Sequence, residues 1–446
     1  MADCGFWDDR RRYVRSDFVS IPGMVGNSYF YYLQFVFGNI MGYVFITYVL
    51  VPIYYDLKLV SIYTYLEGRF GIKTYKTGSL FFLISQSFGA ALRLMLAAKI
   101  LQYAVFDAFG IPFFVTVIFI LILIWLYTNK SGIKTIVWTD SLQTFFLLSA
   151  VVITIIVVKN SLNLTLAQTV TSITDHEYFK IFDWDFHSGN NFFKQFISGM
   201  LIAVAMVGLD QNMMQKTLTC KNKKEAQKNI LTFSIFLAIA QFLFLGLGVM
   251  LYLYAEKTGI PLAFENGKFL DTDNLFPMLS LNHFGIIAGV SFILGITAAS
   301  FSSADSGITA LTTSFTHDFL NIQSKNAKQR LQLKNRTLFG VSALVFVIIM
   351  AFSQSKGDVI STIFKVAGYT YGPLLGLYIL GIFTKIKVHD NAVPYICVIM
   401  PIITYFLNDF FIAWYNFDFG FMNIFVNALL TVICLLLAKK KATPTV

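Results

Sequence analysis

The feature that most limits this chain is a series of apolar runs, several about 20 residues long, separated by short loops that carry most of its charge. A run of that length lets an α-helix cross the hydrocarbon of a bilayer. In lipid the backbone must satisfy its own hydrogen bonds, and a helix does so within one segment. The chain is therefore read as an all-α polytopic membrane protein. Its composition agrees: 56% of residues are hydrophobic and 13% charged, proportions suited to a bundle surrounded by lipid. The net charge of +10 is not the footprint of a nucleic-acid binder. The Lys and Arg residues gather in short loops, as the positive-inside rule expects.

The first 17 residues, MADCGFWDDRRRYVRSD, carry Arg10, Arg11, Arg12 and Arg15 and cannot lie in lipid. No apolar core follows them before a small-residue cleavage site, so they are not a signal peptide. Residues 18–26, FVSIPGMVG, are too short to span, and Pro22–Gly23 mark a break. Full crossings are expected over 29–55, 77–107, 112–127, 133–158, 192–214, 230–255, 283–318, 338–352, 359–385, 393–411 and 422–438, about eleven plus the N-terminal fragment. Residues 59–71 read as a short amphipathic piece at the interface. Basic clusters (Lys58, Arg69, Lys73 and Lys76; Lys130 and Lys134; Lys216 and Lys221 to Lys228; Lys325 to Arg336; Lys439 to Lys441) alternate with acidic loops holding Asp175, Glu177, Asp183, Asp185, Glu265, Asp271 and Asp273. That alternation places the basic loops and the C-terminus in the cytoplasm, with the chain a multi-pass protein of the cell's inner (plasma) membrane.

Within this frame, residues 297–318, TAASFSSADSGITALTTSFTHD, are unusual. Ala299, Ser302, Ser303, Ser306 and Thr309 recur at three- and four-residue steps, a stripe of oxygens and small side chains on one helical face. Such a stripe serves either a hard cation such as Na+ or the close approach of two helices. Ionisable groups at membrane depth are costly and mark functional candidates. Arg93, Lys99, Asp140, Asp210, Asp305 and Lys365 are of this kind, with Lys99, Asp140 and Asp210 near enough to helix ends to be solvated. Gln86 lies two turns before Arg93 on the same face, with Gly89 between them; guanidinium and amide together make a fork for a carboxylate. Glycines 368 and 372 before Pro373 would free backbone groups near the midplane. The histidines sit mostly in loops or at helix ends and form no catalytic or metal-ligand constellation, so an enzyme is not expected.

Four stretches carry a resemblance: SIYTYLEGRFG, GIKTIVWTDSLQTFFLL around Asp140, LDQNMMQKTLTCKNKKEAQKN, and SSADSGITALTTSFTHDF. Their order and spacing resemble the sodium/solute symporter family, which includes sodium-coupled sugar, proline, pantothenate and sialic acid carriers. The resemblance implies a leucine-transporter-like fold: two inverted five-helix repeats plus two C-terminal helices. The first repeat would occupy 18–158 with an incomplete first helix, a loop 159–191, the second repeat 192–385, and C-terminal helices with a basic tail 386–446; residues 1–17 would be an atypical polar N-terminus. The family's conserved sodium site falls on the Ala299 carbonyl and the Ser302 and Ser303 hydroxyls. A second site seen in some members would use Asp140, although one of its serines falls on Ala299, which has no hydroxyl. The third-helix arginine that holds the carboxylate in sialic acid carriers falls on Arg93. The Asn and gating Tyr of sugar carriers fall in AVAMV, residues 203–207, and their seventh-helix Lys near Leu237, so a galactose-type site is not expected.

Together these readings give a sodium-coupled symporter that imports a small, carboxylated, sialic acid-like solute by alternating access. Na+ would bind at Ala299, Ser302, Ser303 and Asp140, and the solute near Arg93, Gln86, Gln34, Met206 and Lys365. The alternatives are a carrier of sugars, amino acids or vitamins, or a truncated remnant that no longer couples, because first-helix ligands would fall near residues 10–13. The expected partners are the solute and the bilayer, with no nucleic acid and no obligate protein partner.

Overall fold

The computed structural model describes residues 14–57, 61–130, 133–218, 220–265, 268–320, 322, 325–354 and 359–440; the side chains of 14–17, 127–130, 133–144, 212, 215–216, 268 and 298–304 fall outside that description. The described chain is almost wholly helical. The first part comprises α1 (Val14–Ser28), α2 (Tyr32–Phe45), α3 (Val51–Asp56), α4 (Thr64–Arg69), α5 (Ile72–Leu101), α6 (Phe113–Lys130), α7 (Ile133–Ser161) and α8 (Leu166–Thr174). The second comprises α9 (Phe192–Ala203), α10 (Gln211–Leu218), α11 (Lys223–Thr258), α12 (Thr272–Asn282), α13 (Gly285–Asp318), α14 (Ala327–Phe352) and α15 (Val359–Phe383), followed by α16 (Val393–Tyr415) and α17 (Asn423–Leu437). A two-stranded hairpin, Phe264–Glu265 with Lys268–Phe269, precedes α12. Among the described residues seven helices are long and apolar enough to cross a membrane, or eight if the bent pair Phe145–Ser161 and Leu166–Thr174 is one span, against about eleven expected; Phe113–Leu126, Phe192–Gly208 and Gly285–Thr297 are apolar but shorter.

Three single turns of π-helix interrupt the spans, at Ile46–Leu50, Gln102–Phe106 and Val204–Gly208. The last lies between α9 and α10, so the helix expected over 192–214 is broken at mid-depth, as breaks at functional sites often are. The fragment at 18–26 is the body of α1. Its Phe18 is fully buried against Phe276 and Phe292, with ring centroids 5.0 and 5.7 Å away.

Close backbone approach sets the geometry of the bundle, as small residues allow in membranes. α2 and α9 meet at Gly38, Gly42 and Gly199. A Cβ added at Gly199 would lie 2.1 Å from the Phe35 carbonyl oxygen, and one at Gly38 2.0 Å from that of Phe196. α15 and α17 meet in the same way at Gly372 and Gly376. Pro373, inside α15, lacks the N–H that would bond the Tyr369 carbonyl one turn earlier. Asn427 on α17 supplies the donor, with its amide 2.9 Å from the Tyr369 oxygen and 3.2 Å from the Gly368 oxygen. The backbone groups expected to be free for a solute near Gly368 are therefore taken by a neighbouring helix.

Side chains cap the helix ends. Asp390 accepts from the Lys73 and Thr74 backbone N–H groups and the Thr74 hydroxyl at the start of α5. Arg69 donates to the Gly381 and Thr384 carbonyls at the end of α15. At the opposite, acidic end, Asn27 exchanges two bonds with the Phe269 backbone, 2.9 and 2.7 Å, and ties α1 to the hairpin.

Candidate solute and cation site

The site lies at mid-depth, where α5, α13 and α15 pack beside the broken segment between α9 and α10. Two glycine contacts fix its level. α7 runs from the basic end to the acidic end and α13 runs back. They touch where a Cβ added at Gly295 would lie 3.4 Å from the Leu147 Cα. Residues 140 and 302 are each seven residues from that contact, on the same side of it, about 10 Å along the helices. The backbones at 140 and 302 thus stand opposite one another. The second contact joins α13 to α5, with a Cβ at Gly307 only 2.9 Å from that of Ala90. Three residues on from Ala90 is Arg93, level with residue 304. Residue 140, the 302–304 segment and Arg93 share one layer of the bundle. The side chains of Asp140, Ala299, Ser302 and Ser303 lie outside the described residues, so their proposed ion contacts rest on this backbone register.

A narrow cavity opens in the same layer. Gln86, Gly89 and Arg93 line it from α5, Met206 from the π-turn, and Ile363, Val366 and Tyr371 from α15. Gln86 is 5% exposed, and its amide nitrogen has no hydrogen-bond partner among the described residues. A buried donor left unmatched costs about 1–3 kcal/mol, so a wall that keeps one is shaped for an acceptor brought by a ligand. Arg93, half-buried, adds a fixed positive charge to the same wall. A second narrow cavity lies on another face of the broken segment and is lined by Ala203 and Val207 with Asn39, Gln241, Tyr32 and Tyr43.

Two of the solute residues expected from sequence stand elsewhere. Gln34 is fully buried and its amide is spent. It donates to the Tyr31 and Asn190 carbonyls and accepts from the Asp183 N–H, which ties the 175–191 loop to α2. Lys365 shares α15 with Ile363 and Val366, but its side chain is exposed on the outside of the bundle. It lies two turns from the acidic end, within reach of the interface by snorkelling, so a lysine at nominal membrane depth needs no internal partner.

Sequence reasoning singled out Asp210 and Asp305 but missed the tyrosines and Gln211 around the basic side of the break. The Gly208 and Leu209 carbonyls accept from the buried Tyr54 and Tyr63 hydroxyls, each at 2.9 Å. Gln211 accepts from the Ile62 N–H at 2.8 Å, and Tyr378 donates to the Ile62 carbonyl at 2.7 Å. Asp210, 3% exposed, caps α10 by accepting from the Met213 N–H, and lies 3.5 Å from the Tyr371 hydroxyl. Tyr371 therefore touches both the Arg93 cavity and the polar break beneath it. Asp305 is buried one turn from Thr309, whose hydroxyl lies 3.4 Å from its carboxylate.

A model of the sodium:solute symporter family matches residues 13–392. The chain belongs to the sodium:solute symporter family. Curated relatives include the human sodium/iodide cotransporter, 26% identical, and the sodium/sialic acid symporters of Proteus mirabilis and Aliivibrio fischeri, 24% and 26% identical. Each match covers 82% of this chain; it spans 57% of the iodide carrier and 74% and 72% of the two sialic acid carriers. Among solved structures, a substrate-bound, outward-open Na+-coupled sialic acid symporter aligns over 98% of this chain and 91% of its own, with a TM-score of 0.77 at 21% identity. Mhp1, a nucleobase-cation-symport-1 family transporter, aligns with a TM-score of 0.54 at 12% identity. The fold of this family member is thus leucine-transporter-like, and its family and structural neighbours are transporters.

Proposed function

We propose that the chain couples inward Na+ movement to import of a small carboxylated solute of the sialic acid type, across a plasma membrane with its basic end in the cytoplasm. The observation that carries this reading is the pairing, in one cavity, of the Arg93 guanidinium with the unmatched Gln86 amide. The solute carboxylate accepts from both, while Met206 and the α15 side chains contact its body. Sialic acid, iodide and monocarboxylates, named for three of the relatives, are all anions, which supports an anion-binding wall. Na+ is a second substrate. It binds between α7 and α13 at the Ala299 carbonyl and the Ser302 and Ser303 hydroxyls, with Asp140 opposite. Hydroxyl, carbonyl and carboxylate oxygens suit a hard cation. Gln34 and Lys365 have no part in solute contact on this reading.

The test is uptake of radiolabelled sialic acid into proteoliposomes under a Na+ gradient, with choline as the control cation. Arg93→Gln removes a charge-assisted pair worth about 1.5–3 kcal/mol and should lower kcat/KM by roughly 10- to 150-fold. Ser302→Ala with Ser303→Ala should raise the Na+ concentration needed for half-maximal uptake. Uptake unchanged in choline removes sodium from the mechanism. Uptake unchanged in Arg93→Gln removes the carboxylate contact.

A further inference from the structure

A third and roomier cavity, of about 200 Å³, lies on the flank of the bundle between α2, α9 and α15. Its inner wall is buried, with Leu50, Leu209 and Leu375 each at most 2% exposed, while Phe383 at its rim is 63% exposed. The hydroxyl of Tyr378, which also lines it, is committed to the Ile62 carbonyl. The cavity therefore offers a solute no free polar group, and it sits among lipid-facing helices rather than in the Arg93 layer. Phe45 and Phe383, ring centroids 6.2 Å apart, frame its mouth toward the basic end.

Just beyond that mouth the chain concentrates positive charge. Lys385 and Lys387 follow Phe383 and are exposed. The Val388–Lys439 bridge and the Lys440 N–H to Lys387 carbonyl bond, 2.9 Å, bring exposed Lys439 and Lys440 alongside them. Arg69 joins from α4, held at the Gly381 and Thr384 carbonyls. Of the nearby acids, Asp390 is engaged at the start of α5, and Glu67 is a single exposed carboxylate. An apolar slot at bilayer depth below a basic rim matches a lipid with a negative headgroup.

We propose that this cavity binds one acyl chain of an anionic phospholipid, whose headgroup lies against Arg69, Lys385 and Lys387. The occupant bears on Val204 and Leu209, which flank the break between α9 and α10, so a bound lipid steadies the segment that carries Met206. The inference is independent of the identity of the solute.

Native mass spectrometry of the whole protein, exchanged into nanodiscs of equal phosphatidylglycerol and phosphatidylcholine, tests it. The unmodified protein should retain one phosphatidylglycerol in preference to phosphatidylcholine. Ile379→Trp, which fills the slot, should lose that lipid while keeping its elution profile; Leu201→Phe does the same from the opposite wall if the tryptophan variant does not fold. Lys385→Gln with Lys387→Gln should reduce the preference for phosphatidylglycerol by roughly fivefold per lysine. Equal retention of the two lipids by the unmodified protein, or undiminished retention by a folded slot-filling variant, overturns the proposal.

Discussion

Replacing Tyr63 by Phe removes one hydroxyl from the break between α9 and α10 and little else. Tyr63 and Leu209 are fully buried, so the Leu209 carbonyl loses its donor at 2.9 Å without water to replace it. Tyr54→Phe does the same to the adjacent Gly208 carbonyl. A buried acceptor left unmatched costs about 1–3 kcal/mol. If the bond forms only when the basic end is closed, the whole cost appears as a shift toward the open arrangement, a factor of roughly 5 to 150. The assay is the labelling rate of a cysteine placed at Val207, in a background without native cysteines, by an impermeant thiol reagent applied from the basic side. Tyr63→Phe and Tyr54→Phe should each speed labelling. The double variant should fall short of the product of the single effects, because the two carbonyls are adjacent and one relaxation serves both. Tyr48→Phe, on a side chain 62% exposed toward lipid, is the control and should change nothing. Labelling at the unmodified rate with a lowered melting temperature would assign the tyrosines to stability alone. Unchanged labelling and unchanged melting would refute the capping argument outright.

Two further outcomes follow from the geometry. Gly199→Ala puts a methyl group 2.1 Å from the Phe35 carbonyl, so α2 and α9 must part; overpacking of this kind costs about 1–3 kcal/mol, read as a lower melting temperature, whereas Gly340→Ala, in α14 with nothing within 4 Å of the added carbon, should not lower it. In the 175–191 loop, burial lowers the pKa of His176 below its ordinary 6.5, while Glu177 and Glu256 oppose the shift, and its Nδ1 accepts from the Tyr178 N–H at 3.2 Å. The folded protein therefore favours the neutral ring, so this contribution to stability is complete above about pH 6.5 and is lost as pH falls below it; melting temperature should decline on acidification, and His176→Gln should flatten that decline.

The parts of this architecture legible in the sequence are those set by local chemistry. Apolar runs and basic loops place the spans, because lipid leaves the backbone no other solution. Arg93 and Gln86 could be paired in advance because seven residues are two helical turns. Pro373 announced a freed carbonyl at Tyr369, but not that Asn427, 58 residues later, would take it. The same limit hid Tyr54 and Tyr63, whose acceptors are 154 and 146 residues away: a cap made across the bundle leaves no periodicity to read. Lys365 and Gln34 mislead for a related reason. A charge or an amide inside an apolar run shows depth but not which side of the helix it faces, and the faces of α2 and α15 are set by the glycines that let α9 and α17 approach.

Coupling requires that ion and solute favour the same arrangement, and the shared layer supplies a reason on the proposed reading. α13 touches α7 at Gly295 and α5 at Gly307, so an ion that draws α13 toward α7 also moves the wall against which α5 presents Arg93. Charge acts in the same direction. Neighbouring helix axes lie 8–10 Å apart, so Na+ at residue 302 and a carboxylate beside Arg93 would be on the order of 10 Å from each other. At an effective dielectric of about 20 their attraction is roughly 1.7 kcal/mol, more than a tenfold gain in mutual affinity without a shared ligand. Tyr371 then carries the change downward: it lines the cavity with Arg93 and lies beside Asp210 at the head of α10, next to the carbonyls that Tyr54 and Tyr63 hold closed. Release of solute to the basic side must break those hydroxyl contacts, and water entering the break replaces them.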